Sequence, residues 1–307
     1  MNVVTVDELI RKREKVAVAI GFFDGVHIGH QHVIKEAINY AKDHGIKSVV
    51  LTFDQRPKQV LGQVRAHDYV TPLKEKMRII KELGVDYSVV LPFDDSLLKL
   101  RADEFMDSYL KKINVSYVSV GFDFRFGNKG KGTVEDLQRT GLWQTKVSNP
   151  VELENEKVST TRIRECLEEN KVVMVNQLLG RYFSISGVIY KRKQLGRKIG
   201  FPTVNTEISE EQLMPLRGVY ATIIYIKGKP YASMTNVGYN PTVETREKVS
   251  IETNVFNFSE DVYGEEVQLQ FVEKIRDEVA FNGVDDLIKQ LERDKAQSSS
   301  ILGSINF

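Results

Sequence analysis

The sequence predicts an α/β + β chain, in which a parallel-sheet domain is followed by a smaller antiparallel one. Three observations carry this. From Val16 to about Leu179, short β-branched runs alternate with longer amphipathic stretches, the pattern of a parallel sheet with covering helices. The runs VAVAIG (16–21), SVVLTF (48–53), YSVVLPF (87–93) and SYVSVGF (116–122) are continuous rather than alternating, as in strands buried on both faces. Further on, FSISGVIYK, GVYATIIYIKGKPYASMTNVG and EEVQLQFVEKIR read as strands, several of them alternating, with a tight turn at Lys227–Gly228.

Between the first strands, HVIKEAINYAKDH (32–44) and LKEKMRIIKEL (73–83) have helical periodicity. STTRIRECLEEN and MVNQLLG follow as helices, and Gly180 is placed to end the second of them. The domain boundary is therefore expected near Arg181, giving domains 1–181 and 182–307. A last amphipathic helix is expected from Val284 to about Lys295, with the closing SSSILGSINF as a loose tail.

The chain has 307 residues, 43 basic and 42 acidic, so it carries no global field that would attract nucleic acid or an anionic membrane. Any charged partner must be recognised locally. The single cysteine, Cys166, cannot form an internal disulfide, which suits a reducing compartment. The first residues have no apolar core of a signal peptide, and the stretch Val16 to Phe23 is too short to cross a bilayer. These features predict a cytoplasmic protein without a membrane span and without a nucleic-acid partner. They say nothing about oligomeric state.

The strand ending at Ile20 runs through Gly21, Phe22, Phe23, Asp24, Gly25, Val26, His27, Ile28, Gly29 and His30 into a helix. Such a junction presents free backbone N–H groups and the positive end of a helix dipole, while Gly21 and Gly29 let a polyanion approach the main chain. Phosphate is the expected guest of this loop, with Phe23 and Asp24 among its binding residues. The imidazoles of His27 and His30 are positioned to stabilise charge on an α-phosphate as pyrophosphate leaves. A half-exposed surface pair or a metal site would also explain two histidines three apart, although HExxH and nearby cysteines are lacking.

A second segment, Val158 to Arg164, combines the hydroxyls of Ser159, Thr160 and Thr161 with Arg162 and Arg164 at a helix start, which favours phosphate oxygens. Simple helix capping is the competing explanation. Together the two segments resemble the HxGH nucleotidyltransferase superfamily. The histidine signature alone also occurs in class I aminoacyl-tRNA synthetases, but no KMSKS-like loop or tRNA-reading region follows. Adding Thr52-Phe53-Asp54 and Gly121-Phe122-Asp123-Phe124-Arg125-Phe126-Gly127, the order is similar to the FAD synthetase module of prokaryotic bifunctional riboflavin kinase/FAD synthetases. That resemblance implies a Rossmann-like parallel sheet, ATP phosphates held by Ser159, Thr161 and Arg164, and Asp123 near the nucleotide and flavin. Phe124 and Phe126 are left without a role. The run Gly127 to Thr133 imitates a P-loop, but Thr133 stands where lysine is required, so a flexible loop is expected.

In the second domain, Gly196 to Asn205 combines glycines, cations, a hydroxyl and an amide. Residues two apart on a strand share a face, so Thr203 and Asn205 can jointly ligate Mg2+ and a phosphate. An edge strand broken by Pro202 is the plainer alternative. Glu252 lies between strand-like segments, where a carboxylate can accept a proton from an attacking hydroxyl. The order from Gly196 and GFPTVN through Gly218-Val219-Tyr220, Asn236-Val237-Gly238, Pro241-Thr242, Glu252 and Asp261-Val262-Tyr263-Gly264 to Ile275-Arg276 resembles the riboflavin kinase module. The resemblance implies a small antiparallel β-barrel, Mg-ATP held by Thr203 and Asn205, Glu252 as base on the flavin 5′-hydroxyl, and Arg276 near the flavin.

Three places depart from the family pattern. Arg192 and Lys193 stand where Gly-Asp is common, Asn254 replaces a frequent His, and Gln55 and Arg56 replace a usual Pro-His. The whole resemblance implies phosphorylation of riboflavin to FMN and adenylylation of FMN to FAD, with ATP as co-substrate and Mg2+ as cofactor. The competing readings are an FAD synthetase with a degenerate kinase domain, and a non-catalytic flavin-binding regulator contacting RNA or protein through its basic run.

Overall fold

The computed structural model describes residues 1–55, 69–192, 196, 199–208, 212–215, 217–240 and 248–305. Arg56, Lys193, Arg197, Lys198, Pro241 and Thr242, all singled out above, lie outside the described residues. The chain forms two compact units, Met1–Thr160 and Thr161–Phe307.

The first unit is built on a six-stranded, all-parallel sheet of β1 (Asn2–Val3), β2 (Val16–Ile20), β3 (Lys47–Phe53), β4 (Tyr87–Leu91), β5 (Val115–Gly121) and β6 (Gln144–Ser148), in the order β1-β4-β3-β2-β5-β6. Its described α-helices are α1 (Val6–Lys12), α2 (Ile28–Asp43), α3 (Leu73–Glu82), α4 (Asp95–Lys99), α5 (Ala102–Phe105) and α6 (Val134–Arg139), and β7 (Glu152–Leu153) pairs with β8 (Glu156–Lys157) as a small ribbon.

Strand alternation explains why the sequence runs are continuously apolar. Val16, Val18 and Ile20 face one core, with Leu51, Leu91 and Val120, while Ala17 and Ala19 face another under α2 and α3. The alanines leave room for α2 to approach closely through Val33, Ile34, Ala37, Ile38 and Ala41. The strand order reverses at β2: the chain adds β3 and β4 on one side and returns to add β5 on the other. In an open parallel sheet that reversal opens a crevice beyond the carboxyl ends of the two central strands. The loop Gly21–His30 leaves β2 there, and Gly121-Phe122-Asp123 leaves β5.

Helix α3 carries a polar group on its apolar face. Lys76 lies on the stripe with Ile79 and Ile80, is only 2% exposed, and donates to the Phe22 carbonyl (3.0 Å), the Thr52 hydroxyl (3.1 Å) and the Phe53 carbonyl (3.0 Å). Its ammonium also sits 4.4 Å from the centroid of the Phe22 ring. One buried cation thus ties α3 to the end of β3 and to the loop after β2.

The second unit opens with α7 (Thr160–Glu168), whose first residue closes the first unit, and α8 (Val172–Leu179), which ends at Gly180 in the left-handed conformation (φ 65°). Then come β9 (Phe183–Tyr190), β10 (Val204–Ile208), β11 (Gly218–Ile226), β12 (Lys229–Asn240), β13 (Lys248–Val255) and β14 (Glu266–Arg276), closed into an antiparallel barrel in the order β10-β13-β12-β11-β14-β9. The hairpin turn falls at Lys227 and Gly228, both with positive φ, between the paired Ile226 and Lys229. On the inward face the hydroxyls of Thr222, Ser233, Thr235 and Thr253 bond to one another at 2.7 to 3.0 Å, so these four buried hydroxyls satisfy each other. Helix α8 belongs to this unit through Asn176, whose amide donates to the Phe271 and Val272 carbonyls and whose carbonyl accepts from Phe183 N.

The end of the chain corrects the sequence-based expectation. Instead of stopping near Lys295, α9 runs from Val284 to Gly303, through most of the segment expected to be loose. Leu302 is 2% exposed and packs with Ala221, Ile223 and Met234 on the outer face of the barrel, and Ser298 is fully buried. The serines hid an apolar stripe that only Ile301 and Leu302 betray. Asp294, 1% exposed, binds Arg276 of β14 through both carboxylate oxygens (2.7 to 3.0 Å), which clamps α9 to the barrel. The P-loop imitation is likewise no open loop: Phe126 and Gly132 exchange backbone bonds across it, and Phe126 is core.

Two substitutions test this packing. Leu302→Ala should destabilise the barrel by about 2–5 kcal/mol, read as a lower urea midpoint with an unchanged slope. Lys76→Met keeps the length of the side chain but strands three oxygen acceptors, and should cost about 1–3 kcal/mol, whereas an unchanged midpoint would show the three bonds to be dispensable.

Candidate functional site

In the first unit, His27 is the N-cap of α2, with extended backbone angles (φ −68°, ψ 170°). Its Nδ1 accepts the backbone N–H of His30 at 3.2 Å, which leaves the ring proton on Nε2 and makes that nitrogen a donor. The two imidazoles stack with centroids 3.5 Å apart, and Phe23, itself buried in the core, supports His30 edge-on at 5.3 Å. Gly29 lets the His27 ring lie close, since a Cβ there would be 3.2 Å from it, a tight contact. The first turn of α2 contains no acidic residue to offset the positive end of its dipole. Phe23 (φ 54°) and Val26 (φ 40°) are held in the left-handed region, an unfavourable one for a β-branched residue.

The loop is held in this shape from several sides. Besides the Lys76 contact, the Phe22 carbonyl accepts from the Thr52 hydroxyl at 3.0 Å. The Asp24 carboxylate, 4% exposed, accepts Thr71 N at 3.1 Å, and the Asp24 carbonyl accepts the Thr160 hydroxyl at 3.1 Å. That last bond joins the two segments that the sequence singles out at opposite ends of the domain. Asp24 thus acts through its fixed carbonyl and carboxylate as a brace of the loop. Ser159 precedes α7 and is half-buried, while Thr161 and Arg164 are three apart on the first turn of α7 and so share a face.

Beyond β5, Asp123 is exposed and accepts Lys157 Nζ at 2.8 Å, and the same ammonium lies 4.3 Å from the centroid of the exposed Phe122 ring. Sequence reasoning missed Lys157 and Lys76. Lys157 gives no local signal, but Lys76 sits at a helical spacing shared with isoleucines, a readable anomaly. Phe124 stacks on Phe126 at 5.6 Å against the core, so both previously unassigned rings are packing residues.

In the barrel, register assembles the polar groups. Asn205 of β10 is the direct partner of Glu252 of β13, which is in turn the partner of Asn236 of β12. The three side chains therefore form one row on the outer face, while the neighbouring Thr253 points inward. Asn205 is 7% exposed, and its Oδ1 is buried with no hydrogen-bond partner among the described residues. Glu252 Oε1 accepts from Ser250 Oγ at 3.3 Å and from Arg192 Nη1 at 3.4 Å. Asn254, the residue that departs from the family's histidine, donates to the Pro202 carbonyl at 2.7 Å and so fixes the strand entry that carries Thr203. Gly196 closes the turn before it: Phe201 N bonds Gly196 O at 2.9 Å, and a Cβ on Gly196 would lie 2.3 Å from the Phe201 carbonyl oxygen. A groove of about 580 Å³ runs between Ile199–Phe201 and α9, where it is lined by Ile288, Glu292 and Lys295. The Arg276 guanidinium is committed to Asp294 and the Asp277 carbonyl.

The described residues contain no cluster of three or more His, Cys, Asp or Glu able to hold a metal, and no described helix is long and apolar enough to cross a membrane. The chain matches the family model of FAD synthetase over residues 9–162 and that of riboflavin kinase over residues 179–302. Among curated proteins it is 37% identical to the bifunctional riboflavin kinase/FMN adenylyltransferase of Listeria monocytogenes, covering 94% of this chain and 92% of that one. It is 35% identical to the Bacillus subtilis protein of the same description, over 94% of each, and 32% identical to that of Escherichia coli, over 95% and 94%. A solved structure described as a macrolide-efflux protein from Streptococcus pneumoniae superposes with a TM-score of 0.88 at 32% identity, covering 96% of this chain and 98% of that one. An HxGH loop on a parallel sheet, a polar row on a closed barrel, and relatives aligned over nearly the full length together place the chain in the family of bifunctional riboflavin kinase/FMN adenylyltransferases.

Proposed function

We propose that the two activities of this enzyme, phosphorylation of riboflavin to FMN and adenylylation of FMN to FAD, are carried by the separate side-chain constellations described above, in modules parted near Arg181. The observation that carries the reading is that the histidine loop Gly21–His30 and the row of Asn205 and Glu252 belong to different compact units.

In adenylyl transfer, a phosphate oxygen of FMN attacks the α-phosphorus of ATP, a new P–O bond forms, and pyrophosphate leaves. The α2 amides and the donor Nε2 of His27, with His30, stabilise the charge that develops on the α-phosphate and its leaving group. Gly21, Phe23, Asp24 and Gly29 shape the loop, Ser159, Thr161 and Arg164 hold phosphate oxygens, and Asp123 lies toward the flavin.

In phosphoryl transfer, the flavin 5′-hydroxyl attacks the γ-phosphorus, Glu252 takes its proton, and ADP leaves. Thr203 and Asn205 fit a Mg2+ ion bound with ATP: both offer neutral oxygen donors, and the buried Oδ1 of Asn205 has no partner among the described residues. When bound, Mg2+ would neutralise part of the polyphosphate charge. The groove beside Phe201 and Ile288 offers apolar walls to a flat ring, and Arg276 acts by holding α9 in place beside it. The lone, buried Cys166 and the balanced charge support a cytoplasmic enzyme of small-molecule substrates without a nucleic-acid partner.

Chromatographic separation of flavins tests the assignment. Glu252→Gln should lower FMN formation from riboflavin by about 100-fold or more while leaving FAD formation from FMN near wild type. His27→Ala should do the reverse, with FAD formation reduced by about 10²–10³. Equal losses of both activities in either variant would contradict separate centres.

A further inference from the structure

Phosphoryl transfer in the barrel sets two anions against each other. The Glu252 carboxylate must reach the flavin hydroxyl while the γ-phosphate reaches the same oxygen. The register that makes Tyr190 the partner of Asn205 carries β9 on toward Arg192 on the strand side of Thr203 and Asn205. From there the Arg192 side chain reaches past β10 to β13, where Nη1 alone makes both contacts, to Ser250 Oγ at 3.0 Å and to Glu252 Oε1 at 3.4 Å. Nε and Nη2 have no partner among the described residues. The pair is 38% and 41% exposed, single-pronged and long, so it is readily rearranged when a stronger anion arrives.

We propose that Arg192 bridges the base and the transferring phosphate, keeping Nη1 on Glu252 and presenting Nε and Nη2 to the γ-phosphate of ATP held by Thr203 and Asn205. The planar guanidinium suits this, because its fork engages two anions at once where a lysine ammonium acts as a point charge. The proton passes from the flavin hydroxyl to Glu252 as the new O–P bond forms and the bond to ADP breaks; Arg192 transfers no proton and offsets the repulsion between the carboxylate and the phosphate. This role rests on the assignment of Glu252 as base and of Thr203 and Asn205 as Mg-ATP ligands. It gives a function to a residue that stands out as a departure from the family pattern.

The test uses the full chain, with initial rates of flavin phosphorylation at varied ATP and at varied riboflavin, and FAD formation from FMN in the same preparations. Arg192→Met should lower kcat/KM for ATP in the kinase reaction by about tenfold or more, with the KM for riboflavin and the adenylyl transfer rate within about twofold of wild type. Arg192→Lys, which keeps the charge without the fork, should recover the KM for ATP more than kcat. Unchanged ATP kinetics in Arg192→Met, a faster kinase, or a loss confined to the KM for riboflavin would each overturn the proposal. Glu252→Gln is run alongside. If it retains kinase activity, the base assignment fails and takes this proposal with it; if it is inactive while Arg192→Met is normal, only the bridge fails.

Discussion

A slip of one residue between β10 and β13 would turn Asn205 and Glu252 to opposite sides of the barrel wall, and the polar row would cease to exist. Because side chains alternate with a period of two, strand register decides whether the amide of Asn205 and the carboxylate of Glu252 are neighbours. Here it is pinned on both sides. The Thr235–Thr253 hydroxyl bond (3.0 Å) locks β12 to β13 from inside, and the Asn254 bond to Pro202 locks β13 to the entry of β10 from outside. The parallel sheet applies the same constraint differently: its register places the ends of β2 and β5 side by side at the reversal of strand order, so two loops distant in sequence emerge together.

The HxGH loop stores strain and is braced against it. Val26 and Phe23 occupy backbone conformations that cost about 1–3 kcal/mol each, and the surrounding bonds over-determine the shape. Lys76 and Thr52 hold the Phe22 carbonyl, Thr71 holds the Asp24 carboxylate, and Thr160 holds the Asp24 carbonyl. Such bracing fixes the α2 amides and the stacked histidines in one arrangement.

Both centres handle polyphosphate in a chain with almost no net charge. Positive potential is present locally, at the N-terminal end of α2 in one unit and on cations of the barrel unit in the other. Several cations of the two units are already paired: Lys157 with Asp123 in the first, and Arg192 with Glu252 and Arg276 with Asp294 in the second. The pairs differ in what they can do. Asp294 is buried and grips its arginine with both oxygens, a fixed structural joint, whereas Asp123 and Glu252 are exposed and their contacts can be exchanged for those of a ligand.

The amino-acid sequence by itself determined the two architectures and most of the chemistry. Continuous apolar runs specified a sheet covered on both faces, alternation and the Lys227–Gly228 turn specified an antiparallel one, and the histidine loop and the PTxN segment carried the resemblance to the family. These signals are local, written in spacing and residue type over a few turns or strands. What only the tertiary structure decided depends on contacts between distant segments. It showed that Lys76, Lys157 and Arg192 reach the site regions and that Arg276 is held by Asp294. The serine-rich end continues as helix because Leu302 finds an apolar seat on the barrel, a seat made by β11 and β12. Periodicity reports which face of an element will be buried, but not which distant side chain will meet it there, because that meeting is set by strand order and register.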